Sequence, residues 1–253
     1  MLFVIAFGGA VFYAIAAFWL LEVQELFGPS YKEIARNLVT LGFAFLLGIF
    51  LVGWGTTISR GQIREIFIIS SCMMTAGTGA MLAIDEHTSA LSIGLSFLAG
   101  LGIGGVYIPS VVVLTLLSPD NLIGTVVGFA LSIRFIAGGI GYAIYYNIFS
   151  THLISILPKN VVAAVIPAGL PPASASSFVG ALLTKNLTLI AGVKGVTPKV
   201  ILAAEEAVLA SYVEGFALVY YVAIGFGGAT IIASFFLGNI RDYMDDRVAV
   251  DIH

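Results

Sequence analysis

Arg134 has the clearest chemical potential in the sequence, because it is a lone cation within a long apolar stretch. It lies near the middle of Leu122–Phe149, which contains no other charged residue. A guanidinium at that depth in a membrane costs about 2.5 kcal/mol or more, so it should not face lipid. Helical spacing places small or hydroxylated residues near its face, namely Gly138, Gly141, Tyr142 and Tyr145. The pattern indicates either a substrate contact or a structural arginine satisfied by helix carbonyls.

Other polar side chains within apolar stretches could line a cavity for a small organic ligand. The predicted substrate-binding residues are Arg134, Tyr13, Tyr107, Tyr142 and Asn147. Aromatic residues near the ends of such stretches are more typical of an interfacial belt. Glu22 and Gln24 directly follow the first apolar stretch, and we expect both to be solvated.

Groups that could support catalysis are sparse and scattered. His87, His152 and His253 lie far apart, Cys72 is the single cysteine, and no Asp or Glu falls inside a predicted span. No zinc-binding, phosphate-binding or nucleophile motif is present. We therefore expect no enzyme activity, no catalytic residue, no cofactor and no metal site.

A glycine-rich run resembles a dinucleotide-binding fingerprint but stands in the wrong context. Gly100-Leu101-Gly102-Ile103-Gly104-Gly105 lies inside an uncharged stretch and not between a strand and a helix. Close helix packing explains it better, as it does for other pairs of small residues four apart: Gly100/Gly104, Gly124/Gly128 and Gly225/Ala229. Pro109, in the same stretch, is expected to kink its helix.

The composition explains these patterns, because it is that of a membrane protein. Of 253 residues, 59% are hydrophobic and 10% are charged, against about 45–50% and about 25% in soluble domains. The net charge of −3 gives no basic excess for nucleic acid. The fold class that remains is all-α, a polytopic bundle of membrane helices.

Six stretches between charged residues are long enough to cross a bilayer. They are Leu2–Leu21, Leu38–Ile58, Ile66–Ile84, Ser89–Leu117, Leu122–Phe149 and Gly215–Leu237. Ala14-Ile15-Ala16 mimics a signal-peptide cleavage site, but no basic segment precedes it, so a span is favoured.

An even number of spans places both termini on one side, and the arginines favour the cytoplasm. Four of them would then lie inside, namely Arg60, Arg64, Arg241 and Arg247, while Lys32 and Arg36 lie outside in a short loop. The sequon Asn186-Leu187-Thr188 also falls outside, where glycosylation is possible. We predict a multi-pass protein of the plasma membrane with cytoplasmic termini.

Residues 150–213 are predicted to form an extracytoplasmic loop within a single transmembrane domain, 1–253. Its apolar segments are too short to span, although Phe178–Val193 is an alternative seventh span. Lys199–Tyr212 is typical of a short amphipathic helix. We expect the loop to lie along the outer membrane face.

Three stretches carry a family resemblance. They are Gly8-Gly9-x-x-Phe12-Tyr13 through Trp19 and Gln24, Ile133-Arg134 through Asn147, and Arg241-Asp242-Tyr243-Met244 through Ala249. With six spans and a long loop before the last one, they resemble the C-terminal half of a major facilitator transporter. The match is nearer to the fungal branch that contains trichothecene efflux pumps and siderophore-iron transporters. The loop Gly53–Arg64 lacks the aspartate of the superfamily signature.

The resemblance implies a secondary active transporter, in the form of a half or a fragment. It implies proton-coupled efflux of a toxin or drug, or transport of a siderophore, and the sequence does not distinguish these substrates. The implied partners are the lipid bilayer, the small-molecule substrate and a missing N-terminal half of about six to eight spans. Because no carboxylate lies inside a predicted span, the proton carrier would come from that half or from the substrate. The alternative is a non-transporting six-span scaffold or interaction subunit.

Overall fold

The protein is described here by a computed structural model that covers residues 1–26, 31–59, 62–84, 88–184, 187–238 and 240. Several residues used for topology or resemblance lie outside the described ranges, namely Arg60, Asn186, Arg241, Arg247 and the rest of the stretch 241–253. In the described ranges all regular secondary structure is helical. Among the described residues, six helices are long and apolar enough to cross a membrane, which agrees with the predicted number of spans.

The first span contains a change of helix type. Helix α1 (Leu2–Tyr13) continues into a π-helix (Ala14–Trp19) and then into α2 (Leu20–Leu26). Ala14 and Ile15 are buried in the core, as expected for a span. A π-helix takes in an extra residue relative to an α-helix, so the faces that follow it are rotated.

The next three spans form a tightly packed group. They are α3 (Tyr31–Ile58), α4 (Ile63–Ala80, extended by a 3₁₀ turn Met81–Ala83), and α5 (Ser89–Tyr107) followed by α6 (Pro109–Leu116). Glycines make α5 the centre of the group, because Gly100 and Gly104 lie against backbone atoms of α3 and Gly102 against those of α4. The close packing predicted for the glycine-rich run is therefore confirmed.

The other pairs of small residues four apart do not all mark close helix contacts. A Cβ added at Gly124, Gly128 or Gly225 would meet nothing within 4 Å in the structure. For these glycines the prediction of close helix contact was wrong. Residue spacing alone does not say which face of a helix has a neighbour.

The last two spans belong to very long helices. A 3₁₀ turn (Asp120–Leu122) leads into α7 (Ile123–Val165), and α10 covers Pro198–Phe235. At 1.5 Å per residue these helices measure about 65 and 57 Å. A hydrocarbon core is about 30 Å thick, so only part of each helix can lie within it.

The chain divides into two compact units, Met1–Tyr146 with Val219–His253, and Asn147–Leu218. The second unit nearly coincides with the predicted loop, but it is helical. It contains the end of α7, with Pro158 inside the helix, then α8 (Pro172–Leu183), α9 (Leu187–Gly192) and the start of α10. Within the described residues, neither α8 nor α9 is long enough to form the alternative seventh span.

A hydrophobic core explains why this second unit folds. Val161 and Val165 of α7 pack with Phe178 of α8, and Val200 and Ala204 of α10 join the same cluster. Glu205 and Glu206 are exposed, so the amphipathic helix predicted over Lys199–Tyr212 is confirmed as the first part of α10.

Candidate functional site

Arg134 lies on α7 and is buried, with 1% of its side chain exposed. Its Nη2 donates hydrogen bonds to the backbone carbonyl of Tyr107 and to the hydroxyl of Ser110, the latter at 3.1 Å. Its guanidinium carbon lies 3.9 Å from the centre of the Tyr107 ring. The cation is thus held by a carbonyl, a hydroxyl and an aromatic face, all from the region where α5 gives way to α6.

The carbonyl of Tyr107 is available because the helix breaks there. Pro109 has no backbone N–H, and the N–H groups of Val111 and Val112 donate to Ile108, at 3.0 and 3.3 Å. The Tyr107 carbonyl therefore accepts from side chains, including the Ser110 hydroxyl at 3.1 Å. A helix C-terminus carries partial negative charge, which favours the guanidinium at this point. Next to Pro109, where a kink was predicted, the structure shows an interruption of the helix at Ile108.

Two glycines let α1 approach α7 beside this break. A Cβ at Gly9 would lie 3.0 Å from the carbonyl oxygen of Arg134. A Cβ at Gly138, four residues after Arg134, would overlap the ring of Tyr13. A side chain at Gly138 would require Tyr13 to move, and one at Gly9 would be in tight contact with Arg134. The two glycines therefore allow Tyr13 to lie next to the turn that carries Arg134.

Aromatic rings surround Tyr107. Phe12 lies 4.3 Å from it between ring centres, and Phe45 lies 5.9 Å from it. Tyr13 meets Phe12 edge-on at 5.7 Å. The site therefore combines a buried cation with an apolar aromatic wall contributed by α1, α3 and α5.

Three of the five predicted site residues come together, namely Arg134, Tyr13 and Tyr107. Tyr142 is 42% exposed and packs against Phe18 and Tyr146, with ring centres 5.9 and 6.2 Å away. Asn147 is exposed and belongs to the second compact unit.

Sequence reasoning missed several members of the site. Ser110, Phe12 and Phe45 were not predicted, although Ser110 directly follows the helix-breaking Pro109. A hydroxyl next to a proline break in a span is a signal that could have identified it.

The prediction that Glu22 is solvated was wrong. This residue was expected to be solvated beyond the end of the first span, but the helix continues to Leu26 and Glu22 is only 2% exposed. The hydroxyl of Tyr220, on α10, donates a hydrogen bond to its Oε2. The statement that no carboxylate lies inside a span was therefore wrong, whereas Gln24 is exposed as expected. The π-helix explains the error, because it rotates the face on which Glu22 falls.

Comparisons with known proteins agree with this architecture. The sequence model of the fungal trichothecene efflux pump (TRI12) family matches residues 1–253. A trichothecene efflux pump TRI12 from Fusarium sporotrichioides is 25% identical over 90% of this chain and 38% of its own length. A pump of the same name from Trichoderma arundinaceum is 27% identical, over 92% of this chain and 40% of its own length.

A further relative is described more broadly. The MFS-type transporter prx5 of Penicillium rubens is 26% identical over 79% of this chain and 36% of its own length. No solved structure gives a significant match. The chain spans about two-fifths of the length of these curated relatives. The match of the family model to the whole chain, together with six apolar helices, shows that this chain belongs to the fungal trichothecene efflux pump family of membrane transporters.

Proposed function

We propose that this chain is the C-terminal part of a secondary active exporter that moves a small oxygen-containing organic molecule out of the cell. The observation that carries the proposal is Arg134, which is buried at a break between α5 and α6 and contacts an aromatic cluster. Broken helices near the membrane midplane are where secondary transporters bind substrate. The relatives' names supply the substrate class, a trichothecene-like toxin.

The substrate chemistry follows from the groups available at the site. The Nε of Arg134 is buried and has no hydrogen-bond partner among the described residues. A buried N–H donor without a partner is costly, so an oxygen acceptor on a ligand would be favourable there. Phe12, Phe45 and Tyr107 offer apolar area for a carbon skeleton. A compact molecule with ester, ether or hydroxyl oxygens meets both requirements.

Tyr13 and Tyr107 are proposed as direct substrate contacts beside Arg134. Tyr142 and Asn147 keep their proposed role as contacts that require the rest of the carrier, because the recorded ring contacts of Tyr142 are to Phe18 and Tyr146 and Asn147 belongs to the second unit. A missing N-terminal half of about six to eight spans would supply the opposite wall of the cavity. The 253-residue chain alone is therefore expected not to transport.

The proposed setting is the plasma membrane, with both termini in the cytoplasm and residues 150–213 outside. Even span number and the positions of the arginines support this topology. Reporter fusions at His253 test it. A reporter accessible from outside intact cells would contradict it.

Export of a labelled trichothecene tests the function directly. Cells carrying the chain joined to an N-terminal half should export the label, and cells carrying the chain alone should not. Export by the chain alone would contradict the proposal. A complete carrier that is inserted and folded but exports neither a trichothecene nor an iron-siderophore would favour the scaffold alternative.

Variants of Arg134 connect the function to the site. Arg134→Ala should lose export while its membrane insertion is unchanged or improved, since the buried charge is removed. Arg134→Lys retains charge but not the planar fork of donors, so export should stay impaired. The exposed Arg36→Ala is the matched control and should export normally. Normal export by both Arg134 variants would leave Arg134 as a structural residue.

A further inference from the structure

Glu22 and Tyr220 form a buried acid–phenol pair between two membrane-spanning helices. Glu22 lies within the span Leu2–Leu26, and Tyr220 lies within Pro198–Phe235. Their side chains are 2% and 1% exposed, and the Tyr220 hydroxyl donates to the carboxyl oxygen Oε2. The pair is separate from the Arg134 group, which involves α7 and the break between α5 and α6.

No charge neutralises Glu22 in the described part of the chain. No Lys, Arg or His there forms an ion pair with it, and Tyr220 is its recorded hydrogen-bond partner. Glu25, on the same helix, is partly exposed. Helix α3, which packs against α2, begins with Tyr31 and Lys32, both exposed, and its Arg36 is exposed too. From α10 the group that faces Glu22 is Tyr220.

The protonated and ionised forms of such a carboxyl group require different surroundings. When protonated it carries no charge, and one phenol can satisfy it in a buried site. When ionised it needs water or a cation, because a buried unpaired charge is costly. Gain or loss of one proton therefore changes whether the contact between α2 and α10 can stay closed to water.

Trp19 is a second unusual group on the same helix. It is fully buried, and its indole Nε1 has no hydrogen-bond partner among the described residues. It is the last residue of the π-helix and precedes Glu22 by three positions, so both lie near one face. A buried N–H without a partner, three positions before a buried carboxyl on the same helix, is suited to hold a water molecule that carries a proton to or from that carboxyl. π-Helical turns are frequent at functional sites.

We propose that Glu22, with Tyr220 as its hydrogen-bond donor, is the proton-binding site that couples this carrier to a pH gradient, an inference that rests on the proposed function. The carboxylate takes up one proton on the acidic side of the membrane and releases the same proton on the other side. Tyr220 keeps its own proton and reorients between the two forms. Arg134 contacts substrate, so proton and substrate bind at different places and are linked by movement of the helices.

Infrared difference spectroscopy on the 253-residue chain in lipid vesicles tests proton binding without any transport. Raising the pH should remove a carbonyl band of a protonated carboxylic acid. Glu22→Gln should abolish that band, whereas Glu25→Gln, the same change one turn further along the helix, should leave it. Tyr220→Phe should shift the band, and Tyr221→Phe, at the exposed neighbouring position, should not. A band that persists in Glu22→Gln, or no pH-dependent carboxyl band, would overturn the proposal.

Transport by the complete carrier tests the coupling. Glu22→Gln should lose export of a labelled trichothecene driven by a pH gradient, but should still exchange labelled for unlabelled compound across the membrane. Unchanged gradient-driven export by Glu22→Gln would overturn the coupling role. An unmodified carrier that moves no compound would instead overturn the proposed function, and the infrared titration would still decide whether Glu22 binds the proton.

Discussion

Arg134 and Glu22 are both buried among membrane-spanning helices, and their partners differ in kind. Arg134 is held by a backbone carbonyl, a hydroxyl and an aromatic ring at a break in a helix. Glu22 is held by one phenol between two continuous stretches of helix. The first arrangement fixes a permanent cation in place, because arginine does not lose its proton in proteins. The second can accommodate a group that changes charge.

Under the proposed function, this difference would give the two residues separate roles. A permanent cation with a spare N–H is suited to orienting a ligand. A neutralisable acid with a neutral partner is suited to responding to pH. Four substitutions should distinguish the two sites, with effects on stability that decrease from Gly138→Leu through Arg134→Met and Tyr220→Phe to Glu22→Gln.

The largest effect is expected for Gly138→Leu. A side chain there would overlap the ring of Tyr13, so α1 and α7 would have to separate. Overpacking of this kind costs up to about 3 kcal/mol, and occasionally more. The matched control is Gly139→Leu, whose Cβ would meet nothing within 4 Å. Thermal unfolding in detergent should show a marked loss of stability for Gly138→Leu and not for Gly139→Leu. Equal losses of stability in both variants would contradict the close approach of α1 and α7.

Arg134→Met removes the cation and its donors but keeps most of the volume. The Tyr107 carbonyl would retain the Ser110 hydroxyl alone, so stability should fall by about 2 kcal/mol. The measurement is unfolding of the purified chain. The Glu22 carboxyl band should be unchanged in this variant, and a shift of that band would show that the sites are not independent.

Tyr220→Phe removes the hydroxyl that reaches Glu22 and leaves the ring. The carboxyl would lose its recorded partner among the described residues, at a cost of about 1 kcal/mol. Tyr221→Phe should have no measurable effect, because that side chain is 60% exposed. Identical unfolding curves for Tyr220→Phe and the unmodified chain would argue against the hydrogen bond.

Glu22→Gln should have the smallest effect on stability, within about 0.5 kcal/mol of the unmodified chain. The amide oxygen can still accept from Tyr220, and the group can no longer ionise in a buried place. Replacing the ionisable side chain should therefore lower the free energy of unfolding clearly at Arg134 and hardly at all at Glu22. A large loss in Glu22→Gln would mean that the ionised carboxylate is the form that stabilises the fold.

The six spans could be predicted because charged residues separate apolar stretches that are each long enough to cross a bilayer. The folded second unit could not be predicted from the sequence. Its apolar segments are short and contain prolines, and this pattern predicts a loop. Pro158 is nevertheless inside α7. Packing among Val161, Phe178 and Val200 supports helices there, and such contacts between distant residues leave no periodic signal in the sequence.

The two buried ionisable residues also differ in how well the sequence predicts their burial. Arg134 was recognisable because it interrupts an apolar stretch in the middle. Glu22 stands at the edge of one, where composition does not distinguish a solvated residue from a buried one. Its burial depends on the π-helix and on Tyr220, which is 198 positions away in the chain. Neither feature can be derived from local spacing.

The glycines of α5 have a mechanical consequence. Where Gly100, Gly104 and Gly102 lie against the backbones of α3 and α4, no side chain intervenes that could change its rotamer. Backbone surfaces in direct contact cannot slide past one another without opening a gap, which close-packed interiors resist. If the proposed carrier changes conformation, helices α3, α4 and α5 should therefore move as one rigid body. Any adjustment between these three helices and their neighbours would then come from aromatic side chains, such as Phe12 and Phe45, that can change rotamer.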